Sequence, residues 1–114
     1  SAYCGAISAG CAAGCGVAYL LGEDFETISQ TLSNSLAITS GVICDGAKAS
    51  CAAKIATAVD SGLMGYYMYK NKKNFCSGDG IVGDGIEKTI KNVGKLASQG
   101  MRETDKVIIE IMTE

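Results

Sequence analysis

The chain has 114 residues, of which 47% are hydrophobic, 10 are basic and 12 acidic, and it contains no His, Trp or Pro. The net charge of −2 gives no electrostatic case for a nucleic-acid binder, which needs a clustered basic surface, and the apolar content excludes a disordered tail. Without His, the Ser-His and Cys-His nucleophile pairs, His-ligated zinc and ordinary haem ligation are excluded, so any metal must be held by thiolate, carboxylate or backbone oxygen.

The chain opens on Ser1 rather than Met, which suggests that the natural protein extends upstream. Residues 1–22 carry no charge, yet they are built of Gly, Ala, Ser and Cys rather than the large apolar residues of a membrane span. The expectation is a buried helix over 6–21, with no membrane partner. Its glycines, Gly10, Gly14 and Gly16, each cost about 1 kcal/mol against Ala in a helix. So many imply close backbone approach by a neighbour. Gly22 suits a helix end.

A second helix is expected over 24–39. Asp24 serves as N-cap, and Phe25, Ile28, Leu32 and Leu36 recur on one face. A third covers 47–69, with Ile55, Val59, Leu63 and Tyr66 as its apolar stripe and Ala52, Ala56, Gly62 and Gly65 admitting a close neighbour. Its Met64, Tyr66, Tyr67, Met68 and Tyr69 read as core or interface packing before they read as a ligand pocket. Residues 70–83 form a loop, whose basic run at 70–73 is a solvated surface. Its glycines lack the following lysine and preceding strand of a phosphate loop. A fourth helix runs over 84–112 and kinks near Gly100. Asp84 is its expected N-cap, with Glu87 completing a capping box. Ile86, Ile90, Val93, Ala97 and Met101 form its stripe, and Val107, Ile108, Ile111 and Met112 continue it.

No segment alternates with the period of a strand. The fold class is therefore all-α, with about four helices over a single domain, 1–114. They pack as a small-residue-rich bundle or as one layer of a larger helical domain.

The six cysteines carry the chemical information. They lie in apolar, small-residue segments, in a chain with enough aliphatic side chains to build a core without disulfides. That favours a reducing, cytoplasmic setting. Cys44 and Cys51 are seven residues apart, two turns if the segment is helical. If Asp45-Gly46 turns instead, Cys44 lies on the loop entering the third helix. Either way a thiol approaches that helix's N-terminus, where partial positive charge favours thiolate. Cys4 precedes the first helix, so three thiolates from loop–helix junctions converge on one centre in this reading. The spacing matches neither a ferredoxin run nor a zinc ribbon. Cys11 and Cys15 read as small filler before ligands or a redox pair, and nothing requires Cys76.

Several stretches carry a family resemblance. They are Tyr3-Cys4-Gly5, the run from Gly16 to Gly22, the segment Gly41-Val42-Ile43-Cys44-Asp45-Gly46-Ala47-Lys48-Ala49-Ser50-Cys51-Ala52, and the ending around Gly100-Met101, Glu103-Thr104-Asp105 and Ile111-Met112-Thr113. Together they resemble the C-terminal portion of the L-cysteine desulfidase family, itself related to the α chain of iron–sulfur L-serine dehydratases. The resemblance implies a [4Fe–4S] cluster held by Cys4, Cys44 and Cys51 with one iron left open. It also implies a lyase that converts L-cysteine or L-serine to pyruvate and ammonia. Serine dehydratases carry Pro after the Cys-Asp pair and a longer gap to the third cysteine, a difference that favours the desulfidase branch. The family's Gly-Ser-Gly-Asn-Gln-Gly-like segment is absent here. The expected partner is thus the N-terminal domain of the same protein, with a small amino acid as substrate. The isolated chain is expected to be inactive and need not hold the cluster, and a homo-oligomer stays open. Asp45 and Lys48, between two implied ligands, are candidate catalytic or supporting residues. Their plainer readings are a helix cap and a solvated lysine. Two other functions compete: a non-catalytic helical interaction module and a structural thiolate zinc site.

Overall fold

Glycines set the spacing of this fold. A Cβ on Gly10 would overlap Ala58, one on Gly14 would lie 2.5 Å from the Gly62 backbone, and one on Gly62 would lie 2.9 Å from the Gly10 carbonyl. Helix α1 (Gly5–Leu20) and helix α3 (Ala49–Lys70) therefore touch backbone to backbone. Helix α2 (Phe25–Ile38) meets α3 equally closely at Gly65, where a Cβ would be 2.7 Å from the Thr31 carbonyl. The computed structural model describes residues 2–114. Beyond α3 come α4 (Ile86–Lys95), a π-helical turn (Leu96–Gly100) and α5 (Arg102–Thr113). The expected all-α class holds, and the extents of 49 × 28 × 17 Å make the molecule a flat slab.

Close approach determines which side chains are buried, and here the expected stripes need correction. On α2, Phe25 is 77% exposed and Leu36 alone of the stripe is fully buried. The face toward α3 is Thr31, Asn34 and Ser35, because only small or compact polar groups fit beside Gly65. Asn34 uses its whole amide. It donates to the Gly65 carbonyl at 3.0 Å and to Asn74 Oδ1 at 3.2 Å. It accepts from Gln30 Nε2 at 3.0 Å and from the Phe75 amide at 3.2 Å. On α3, Ile55 and Val59 are exposed, while Ala58, Ser61, Gly62, Gly65 and Tyr66 are buried.

Asp24 caps α2 as expected, its Oδ1 accepting from the Thr27 amide at 2.9 Å. Asp84 does not cap α4. Gly85, at φ +85°, takes that place without a side-chain cap, as positive φ suits glycine. Thr89 closes the start instead, accepting from the Gly83 amide at 3.1 Å and donating to the Gly85 carbonyl at 3.3 Å. The long fourth helix is broken where the Met101 amide bonds the Leu96 carbonyl at 3.0 Å, five residues back. Among the described residues no helix is long and apolar enough to cross a membrane.

Candidate functional site

Two short extended segments bring distant cysteines together. Tyr3 and Ile43 form an isolated antiparallel bridge. The Cys44 amide donates to the Ala2 carbonyl at 2.6 Å, and the Cys4 amide to the Val42 carbonyl at 3.4 Å. Cys4 and Cys44 thus flank one bridge. Cys4 is buried with Ile7, Cys11, Leu36 and Ala58, and Cys44 packs against that cluster. On the bridge's other side, Ala2, Met101 and Ile108 form a second small core, against which Tyr3 and Ile43 pack.

The turn reading of residues 44–48 is the one observed. Gly46 adopts φ +95°, and α3 begins only at Ala49. Cys51 is half-buried in the first turn of α3, its amide donating to the Lys48 carbonyl at 2.9 Å. All six cysteines are free. Among the described residues, however, no three or more Cys, Asp or Glu side chains are gathered as a ligand group for a metal ion. The donor chemistry suits a thiophilic metal, since thiols are present and imidazole is not. Two of the thiol-bearing segments are already paired, and the third lies at the start of the adjoining helix.

Asp45 does not cap α3; Lys48 occupies that position without a side-chain bond. The Asp45 carboxylate instead accepts from Lys54 Nζ at 2.8 Å, and this bond holds its pKa below the usual aspartate value. Lys54 also donates to the Ile43 carbonyl at 2.9 Å. Its own pKa is raised, first by the bond to Asp45, with Cys4 and Cys44 contributing in the same sense. Lys48 is exposed, with Cε 3.6 Å from where a Gly46 Cβ would lie. Lys54 is not among the site residues expected from the sequence. Its position three residues after Cys51 puts both on one helical face, a signal present in the spacing.

The other cysteines lie elsewhere. Cys11 is buried 3.5 Å from Thr39 Oγ1. Cys15 donates to the Ile28 carbonyl at 3.7 Å, and burial raises its pKa. Cys76 is exposed, beside a cleft of about 710 Å³ between α2 and residues 74–87. Of the aromatic cluster, Tyr66 is buried and donates to Glu23 Oε1 at 2.8 Å, whereas Tyr67 is exposed.

The helical slab carries free cysteines, two of which flank the bridge between residues 3 and 43. The serine dehydratase alpha chain family matches residues 1–110, and the chain belongs to that family. It is 58% identical over 112 residues to a UPF0597 protein of Desulfitobacterium hafniense, covering 98% of this chain and 26% of that protein. A UPF0597 protein of Finegoldia magna is 54% identical over 114 residues, covering 100% of this chain and 27% of the relative. One from a Shewanella species is 43% identical over 114 residues, with the same coverage. The chain thus spans about a quarter of the length of the curated relatives it matches. No solved structure matches it.

Proposed function

We propose that this chain is the C-terminal, cluster-binding part of an iron–sulfur lyase that β-eliminates sulfide from L-cysteine or water from L-serine. Membership of the serine dehydratase alpha chain family supports the reaction class. The observation that carries the reading is the bridge that sets Cys4 beside Cys44 with both thiols free. Cys4, Cys44 and Cys51 are the proposed ligands of a [4Fe–4S] cluster, and their donor chemistry fits it. When bound, such a cluster with one open iron supplies a Lewis acid in the way an open catalytic metal site does.

The chain's own residues hold and orient. Burial of Cys4 keeps water from one side of the centre. The turn at Gly46 carries Cys44 toward the start of α3, and Lys48, exposed beside that turn, offers an ammonium to a substrate carboxylate. Asp45, tied to Lys54, is held ionised and serves the site by fixing the turn. Loss of the α-proton and the leaving group from L-cysteine or L-serine gives an enamine. Its imine tautomer takes up water to yield pyruvate and ammonia. The base for the α-proton is assigned to the N-terminal domain, outside this chain. Six free cysteines agree with a reducing cytoplasm.

A helical interaction module is the second reading. It is favoured by exposed apolar side chains such as Leu20, Phe25 and Ile111. Exposed apolar side chains of this kind equally suit docking of the N-terminal domain. The deciding experiment is anaerobic reconstitution of the full-length protein with iron and sulfide, followed by pyruvate assays on L-cysteine and L-serine. Iron-dependent activity that Cys44→Ser abolishes is the expected result, and the faster substrate fixes the branch. A folded, cluster-free and inactive protein would sink the lyase in favour of the module.

A further inference from the structure

A cluster held by Cys4, Cys44 and Cys51 would set three thiolate charges against one another, and a fixed cation beside them would offset that repulsion. One side chain spans the corner. Lys54 stands three residues after Cys51 on α3, so the two share a helical face. From there it bonds the Ile43 carbonyl at 2.9 Å and Asp45 Oδ1 at 2.8 Å, the residues immediately before and after Cys44. Ile43 is in turn the bridge partner of Tyr3, next to Cys4. A single ammonium therefore links the backbone segments of all three cysteines.

The ion pair also has a direction. The Lys54 side chain is 21% exposed and that of Asp45 is 42% exposed. The ammonium end is thus the more buried, bonded to the main chain beside Cys44, and the carboxylate end is the more open to solvent. An exposed pair contributes little, but a half-buried lysine bonded to a main-chain carbonyl between two cysteine segments is a built feature. Resting on the cluster reading above, we propose that Lys54 is the positioning residue of the three-cysteine centre. It clamps the Cys44 turn onto α3 and presents one fixed positive charge to the thiolates.

The test uses the full-length protein, reconstituted anaerobically with iron and sulfide. Wild type is compared with Lys54→Arg, Lys54→Gln, Lys54→Met and Cys44→Ser. Iron affinity, cluster reduction potential and thermal melting are read for each. Lys54→Met is expected to weaken iron binding by about ten-fold, the scale of lost support around metal ligands. Lys54→Arg restores binding. Lys54→Gln, with N–H donors but no charge, moves the potential negative, because a lost positive charge favours the oxidised cluster. Wild-type iron affinity and potential in Lys54→Met overturn the proposal. If that variant melts early, the same result in a normally melting Lys54→Gln overturns it. Should wild type take up no Cys44-dependent iron, the cluster reading itself fails and the role of Lys54 falls with it. Cys44-dependent iron that is indifferent to Lys54 removes only the clamp.

Discussion

The α1–α3 contact and the α4–α5 arm are both helical, yet they are built on opposite principles. In the first, Gly10, Gly14, Ala58 and Gly62 leave no room for another methyl group. In the second, no Cβ contact constrains Gly94, Ile90 is 44% exposed, and one π turn breaks the helix before Ile109, Ile111 and Met112 emerge into solvent. The tight region fixes the floor on which Cys4 sits, and the loose one lies over the bridge through Met101 and Ile108. A layer that is rigid inside and apolar outside is what a component built to meet further protein presents.

The sharpest way to break this contrast is Gly14→Val. Its Cβ would lie 2.5 Å from the Gly62 backbone, which cannot rotate away. We expect destabilisation beyond about 3 kcal/mol, the upper end for overpacked cores, read by urea or thermal unfolding. A loss below about 1 kcal/mol would show that the helices can slide apart, because well-packed interiors do not absorb a new side chain so cheaply. The arm should respond in the opposite sense. Gly94→Ala adds a methyl in open space within α4 and should stabilise by about 0.5–1 kcal/mol through helix propensity and reduced unfolded-state freedom. A destabilising result would mean that the arm is packed against something in the full-length protein. The two substitutions together thus separate an interface complete within the chain from one completed outside it.

The same contrast governs what the sequence discloses. Glycines at 10, 14, 62 and 65 announce close approach, and the chain fulfils it. The apolar periods of α2 and α3 mislead because glycine-level contact reverses the usual rule. Thr31, Asn34 and Ser35 go inside, and Phe25 and Ile55 go outside. Gly100 marks the break in the last helix, whereas the cap moves from Asp84 to Gly85, whose positive φ no sequence period records. At the candidate site, the turn at Gly46 is legible as one of two alternatives. The Tyr3–Ile43 bridge is not, since a pairing of single residues leaves no repeating pattern. Lys54 is legible in its spacing from Cys51, but its reach to Ile43 and Asp45 depends on where that bridge places the 43–45 segment.

The smallest effect is expected from charge. At the far end of the tight region, Glu23 Oε1 accepts from Lys70 Nζ at 2.9 Å and from Tyr66 at 2.8 Å, closing the α1–α2 turn onto the end of α3. The Lys70 bond, then the Tyr66 bond, holds the Glu23 pKa below the usual glutamate value. The unfolded state therefore binds a proton before the folded state does. The contribution is present above the unfolded glutamate pKa of about 4.3, and it is lost as pH falls through the lower folded value. Asp24 and Asp45 are lowered in the same way, so the acid loss of the whole chain is shared. Comparing melting temperatures of wild type and Glu23→Gln isolates this member. The gap should be slight at neutral pH, shrink below about pH 4 and narrow in high salt. Because Gln still accepts from Tyr66, no gap at any pH would mean that the Tyr66 contact, rather than the charge, closes this end of the helices. The tight region would then rest on hydrogen bonding and packing throughout.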